Sequence, residues 1–175
     1  MNVEAAKYQV PPAYRDAVAE LLYHSQMIEA VLRVYLMDVY SAANTALHRY
    51  GMRFDVPDKY LNKKALGQLV ELFSHHTTND DLVKRLRAFI EHRNRAAHTA
   101  YVWGMVHGAN RESIADAIEK TMVRINEASA LLSEVIKETA KSKAAVNGEQ
   151  ELQSRLDAEW FEKYSDPGAQ RDDEE

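Results

Sequence analysis

Apolar residues recur every three or four positions along four stretches of the chain, which is the spacing of one face of an α-helix. In the first stretch Val18, Leu21, Leu22, Ile28, Val31, Leu32, Tyr35, Val39, Ala43 and Leu47 share this rhythm. It predicts a helix of about nine turns, opened by Pro11 and Pro12, because proline costs little at the first helical position. The helix should close near Gly51, and "GMRFDVPDKYLN" reads as a loop, with Pro57 and the Asp and Asn residues as breakers. A second helix is expected over "KKALGQLVELFSHH", with Leu66, Leu69, Val70, Leu72 and Phe73 inward. The string "TTNDD" then supplies a helix start: Thr78 or Asn79 caps it, and Asp80 and Asp81 sit at the positive end of the helix dipole. This third helix should run to about Val102. "WGMVHGAN" carries Gly104 and Gly108 and reads as a loop, and Asn110 is placed to cap a fourth helix with the stripe Ile114, Ile118, Met122, Ile125, Leu132 and Val135.

Almost nothing in the chain alternates as a half-buried strand would. The expected fold class is therefore all-α, a four- to five-helix up-and-down bundle. Residues 1–12 form an N-terminal extension, 13–145 the helical bundle, and 146–175 an acidic tail. A short fifth helix over 152–164, around Leu156, Trp160 and Phe161, is the one candidate element in that tail. The last stretch, "SDPGAQRDDEE", reads as disordered. No internal repeat or low-complexity tract interrupts this organisation.

Composition narrows the classes of function. With 175 residues, 46% hydrophobic and 28% charged, the chain can bury the core of one ordinary domain. The absence of cysteine removes disulfides, thiolate metal sites and cysteine nucleophiles. The N-terminal "MNVEAAKYQVPPAYRD" lacks the basic start and apolar run of a signal peptide. No later segment offers the roughly 18 uninterrupted apolar residues of a membrane helix. A cytoplasmic protein with no membrane partner is the expectation. The net charge of −5 is unevenly spread: residues 149–175 hold ten acids against three bases, which leaves residues 1–148 at +2. A mildly basic body does not repel RNA, and it is too weak a signal to identify RNA as the partner.

The third helix carries the chemistry. Its core stripe is Leu82, Leu86, Phe89, Ala96 and Ala100, and Arg93 falls within about 20° of the stripe's centre. A guanidinium on a core-facing position needs a carboxylate, a subunit interface or a ligand phosphate. The plain reading is a salt bridge to a neighbouring helix. His98 lies about 140° further round, stacked on Asn94 four residues earlier; alone, it reads as a solvent-facing or hydrogen-bonded histidine. Arg93 and His98 do not share a face, so a common site needs a long arginine reaching round, a local distortion, or two copies of the helix meeting. Ala96 and Ala97 are small enough to let another helix approach closely.

Lys84, Arg85, Arg87, Arg93 and Arg95 make the densest basic stretch. Such a run is ordinarily a solvated face. Beside Arg93 and His98 it also offers Lys84, Arg87 and Arg95 to a phosphate backbone, with Tyr101 and Trp103 available to stack on bases. Trp103 would serve equally well as a core plug. The adjacent His75 and His76 point about 100° apart and cannot both ligate one metal from a regular helix. Glu71 with His75, and Glu20 with His24, are four apart, and no Glu-x-x-His pair of the di-iron type occurs. No metal site and no cofactor is expected: glycine-rich phosphate loop, nucleophile elbow and dinucleotide fingerprint are all missing.

"RNRAAH", Arg93 to His98, late on the third helix of an all-α chain and just before a glycine loop, resembles the motif of the HEPN superfamily. That motif is an arginine, a polar residue, and a histidine four to six positions on. The lead-in "LGQLVELFSHHTTNDDLVKRLRAFIEH" also looks like the helix pair preceding the motif in bacterial members, and the resemblance spans about Ala13 to Thr139. It implies a HEPN-like bundle and a metal-independent endoribonuclease, in which two copies meet through the motif helix as a homodimer. By the same resemblance His98 is the acid/base, Arg93 clamps the phosphate, and Asn94 orients one of them. It further implies a toxin or phage-defence setting with an antitoxin or regulatory protein as partner. Other members keep the fold as a non-catalytic interaction or regulatory module. Tyr101 stands three residues after the histidine, where antitoxin-paired members often have a tyrosine at two, so no modification is carried over to Tyr101.

Overall fold

The computed structural model describes residues 11–54, 56, 58–103 and 111–164. All regular structure among them is helical. The first helix, α1, spans Pro12–His48. Pro11 precedes it in an extended conformation, and its carbonyl accepts the N–H groups of Tyr14 and Arg15 at 3.0 and 3.1 Å. The far end closes as Gly51 enters the left-handed region, at φ 71°. Gly51 N–H then donates to the His48 carbonyl and Met52 N–H to the Leu47 carbonyl, both at 3.1 Å. This is the Schellman arrangement, which satisfies carbonyls the helix end leaves open.

The expected loop over 51–62 contains a short helix, α2, at Asp58–Asn62. Burial overrides the breaker residues here, because Leu61 is in the core. Arg33 of α1 also holds α2 in place: its Nε and Nη2 donate to the carbonyls of Leu61 and Lys64 at 3.3 and 3.1 Å. Glu29, one turn earlier on α1, pairs with the same guanidinium. The next helix, α3, covers Leu66–Ser74, inside the predicted 63–76. The Gln68 side chain caps its start by accepting from Ala65 N–H at 3.3 Å. The fourth, α4, runs Asp80–Trp103, so Trp103 ends the helix rather than opening the following loop. Its cap is Asn79, whose Oδ1 accepts Leu82 N–H at 3.1 Å, with Asp80 and Asp81 in the first turn. The predicted cap Asn110 lies outside the described residues.

The last helix, α5, spans Arg111–Tyr164. The chain divides into two compact units, Met1–Thr139 and Ala140–Glu175. In the first unit α1, α3 and α4 pack against one another. Their core contains Leu21, Ile28, Leu32, Leu36, Phe73 and Phe89, with Ile125, Ala128, Leu131 and Val135 from α5. The inward face of α5 differs from the expected stripe: Met122 is 44% exposed, while Thr121, Ala128 and Leu131 are buried. Reading only bulky residues displaced the stripe, since Met122 sits roughly 120° from the centre of the buried face. In the second unit helix continues through Gly148 with no break before 152. One glycine costs about 1 kcal/mol, and helix-favouring Ala144, Ala145, Glu149, Gln150 and Glu151 flank it. Residues 165–175, expected to be disordered, lie outside the described residues.

Candidate functional site

The first turns of α4 are fixed on two sides. Toward α5, Arg85 Nη1 donates to Glu134 Oε1 at 2.9 Å, and a second guanidinium nitrogen pairs with Glu134 Oε2. Asp81 Oδ2 lies 2.9 Å from Arg85 Nε. This hydrogen-bonded pairing with Arg85 pulls the Glu134 carboxyl below its ordinary pKa and raises that of the guanidinium, despite partial burial. Toward α3, Arg87 Nη2 reaches Glu71 Oε2 at 2.8 Å. Leu82, Val83, Leu86 and Phe89 are buried between these ion pairs. The motif residues therefore follow on a helix whose orientation is set by packing and by polar contacts on both flanks.

Arg93 is half-buried, as its angular position predicts. Its Nη1 donates to Asn94 Oδ1 at 2.9 Å, and its Nε is buried without a hydrogen-bond partner. No carboxylate pairs with it among the described residues, so the salt-bridge reading is not realised there. The contact with Asn94 holds one end of the guanidinium at its chain neighbour, while His98, one turn beyond Asn94, is exposed. Asn94 is exposed, and the amide that orients Arg93 stands one turn from the histidine.

The other expected RNA-contacting residues separate. Lys84 is exposed, and Arg87 is engaged with Glu71. Tyr101 and Trp103 belong to the last turn of α4, and their side chains lie outside the described residues. Arg95 instead lines a cleft of about 310 Å³ between α1, α4 and α5. Its floor and sides include Tyr14 and Leu21 from α1, and Ala96 and Ala117 from α4 and α5. His92, Arg95, Lys120 and Arg124 bring polar or charged groups to it. Lys120 Nζ is 2.7 Å from Asp116 Oδ2, and Arg124 Nη1 is 2.8 Å from Glu127 Oε2. The Thr121 hydroxyl donates within its own helix to the Ala117 carbonyl at 2.7 Å. Burial raises the pKa of the Tyr14 phenol above its ordinary value.

Sequence reasoning missed Tyr14, His92, Lys120, Thr121 and Arg124 as cleft residues. The signal available was weak: Ala117, Lys120, Thr121 and Arg124 recur at helical spacing along one edge of the α5 stripe. Their meaning depends on α4 lying opposite. Among the described residues no group of three or more His, Asp or Glu is arranged to hold a metal ion, and no helix is long and apolar enough to cross a membrane. No protein-family model, curated protein or solved structure matches the chain.

Proposed function

We propose that this chain is a metal-independent endoribonuclease of HEPN type, acting through Arg93, Asn94 and His98. The observation that carries the reading is the guanidinium of Arg93, turned onto Asn94 and paired with no carboxylate among the described residues. RNA supplies its own nucleophile. His98 imidazole takes the 2′-hydroxyl proton as that oxygen bonds to phosphorus, and the bond from phosphorus to the 5′-oxygen breaks. The departing oxygen takes a proton from a second histidine in its imidazolium form, the partner subunit's His98 in a homodimer. Arg93 stabilises the charge on the non-bridging oxygens as a two-pronged donor. The products are a 2′,3′-cyclic phosphate and a 5′-hydroxyl end; DNA, which lacks the nucleophile, is not cut. The setting that goes with this reading is the cytoplasm, as a toxin or defence effector held by an antitoxin or regulatory protein.

A non-catalytic interaction module is the second reading. It is favoured by Tyr23, Met27, Val34 and Met37, which are exposed in a row along α1. The two readings part on one experiment: incubation of mixed RNA with the purified protein in EDTA, alongside folded His98→Ala and Arg93→Ala. Cleavage by the wild type that is lost in both variants supports the nuclease. RNA left intact, in EDTA and again with divalent metal restored, rejects it.

A further inference from the structure

We infer that the cleft between α1, α4 and α5 is a second subsite for single-stranded nucleic acid, holding one phosphodiester of a strand that also crosses the motif. The inference rests on the nucleic-acid part of the function proposed above, and it adds residues that the Arg93–His98 motif does not contain.

The opening exists because Ala96 and Ala117 stand on its walls, where larger side chains would fill the seam between α4 and α5 over Leu21. Cations reach it from two helices, Arg95 from α4 and Lys120 and Arg124 from α5. Asp116 and Glu127 each already hold one of the α5 cations. These five side chains carry a formal +1. That balance matches the single charge of a phosphodiester better than the double charge of a phosphate monoester. Arg95 has no ion pair among the described residues, so its planar fork can take both non-bridging oxygens. Tyr14 and His92 add ring surface for a sugar or base.

The cleft also lies beside the motif's histidine on the surface of α4. Around α4, Arg95 follows His98 by about 60°, and His92 follows Arg95 by about another 60°. Asn94, His98 and Arg95 are exposed, and His92 is half-exposed. A strand crossing this face meets His98 first and enters the cleft within one or two nucleotides.

The experiment uses a fluorescein-labelled DNA dodecamer, which presents phosphodiesters and lacks the 2′-hydroxyl, so binding is read apart from cleavage. Anisotropy titrations at several salt concentrations compare the wild type with Arg95→Ala, Lys120→Ala, the cleft-filling Ala117→Leu, and Lys63→Ala as an exposed cation away from the cleft. Arg95→Ala and Lys120→Ala should each weaken binding about five-fold and flatten the dependence on salt by about one counterion. Ala117→Leu should weaken it about ten-fold, and Lys63→Ala by less than two-fold. Circular dichroism checks folding; if Ala117→Leu does not fold, Arg95→Glu replaces it and should weaken binding more than Arg95→Ala. Equal affinity in wild type and cleft variants, or no binding by the wild type, overturns the subsite. The first of these results leaves RNA cleavage untouched. Cleft-dependent DNA binding by a protein that cuts no RNA keeps the subsite and removes the nuclease.

Discussion

Arg93 Nη1 donates to Oδ1 of its chain neighbour Asn94 at 2.9 Å, while Nε of the same guanidinium stays buried without a partner. One end of the group is aimed and the other is left at a cost, since an unsatisfied buried donor destabilises by roughly 1–3 kcal/mol. Replacement by an apolar residue of similar length removes that cost. Arg93→Met is expected to raise stability by about 1 kcal/mol and to abolish RNA cleavage. Urea unfolding and a cleavage assay on the same preparation read both. A destabilised Arg93→Met would mean that the guanidinium is a structural support.

Asn94→Ala frees the guanidinium without removing it. Single-turnover cleavage should slow by about ten-fold, the loss of one orienting hydrogen bond in the transition state, with RNA affinity nearly unchanged. Asn94→Asp should slow cleavage further, because a carboxylate at this position neutralises the charge that Arg93 offers the phosphate. An Asn94→Asp variant as fast as the wild type would show that Arg93 does not act through its charge.

The parts of the fold that were legible in the sequence are those set by local rules. Pro12, Gly51 and Asn79 mark helix ends because each satisfies or removes a terminal hydrogen bond where it stands. The α2 helix and the α5 face were not legible, because tertiary burial decides them. Leu61 becomes helical where Arg33 can hold its carbonyl, and Ala128 and Thr121 are buried because a close-packed seam favours short side chains. The site divides in the same way. Helical angle fixes where Arg93, Asn94 and His98 stand around α4, with Arg93 and His98 about 140° apart, whereas the cleft joins residues from three helices that no spacing within one helix connects.

That correction to α5 is testable by truncation. Leu131→Ala should cost about 2–5 kcal/mol as a cavity in the core, and Met122→Ala less than about 0.5 kcal/mol, as at an ordinary surface position. Denaturant midpoints of the two variants compare them directly. Equal losses would restore the stripe through Met122.

Stability should fall in acid by two routes. His76 has a pKa lowered from 6.5 by burial and then by neighbouring His75. Below pH 6.5 the unfolded chain therefore takes up this proton more readily than the folded one, and stability is lost as pH falls toward the folded value. Glu134 has a pKa lowered from 4.5 by its hydrogen bond to Arg85. Its contribution is complete above that ordinary value and disappears as pH drops through the lowered one. His76→Gln should flatten the urea midpoint as pH falls below 6.5, and Glu134→Gln as pH falls below 4.5. The Glu134 effect stays near about 1 kcal/mol because both partners are about one-third exposed. Midpoints that remain parallel to the wild type across both windows would assign the acid response elsewhere.

Gly51 and Gly148 should respond oppositely to alanine. At Gly51 a Cβ meets nothing within 4 Å, but φ is 71°. The substitution forces an L-residue into the left-handed region and should cost about 1 kcal/mol. Gly148 also has open space around an added Cβ, but it lies within α5. Alanine there removes backbone freedom from the unfolded chain and should favour helix by roughly 0.5–1 kcal/mol. Thermal unfolding reports the first. Far-ultraviolet circular dichroism and amide exchange around residue 148 report the second. Gly148→Ala should raise protection on both sides of the substitution, because one helix runs through it; a rise on one side alone would overturn that continuity.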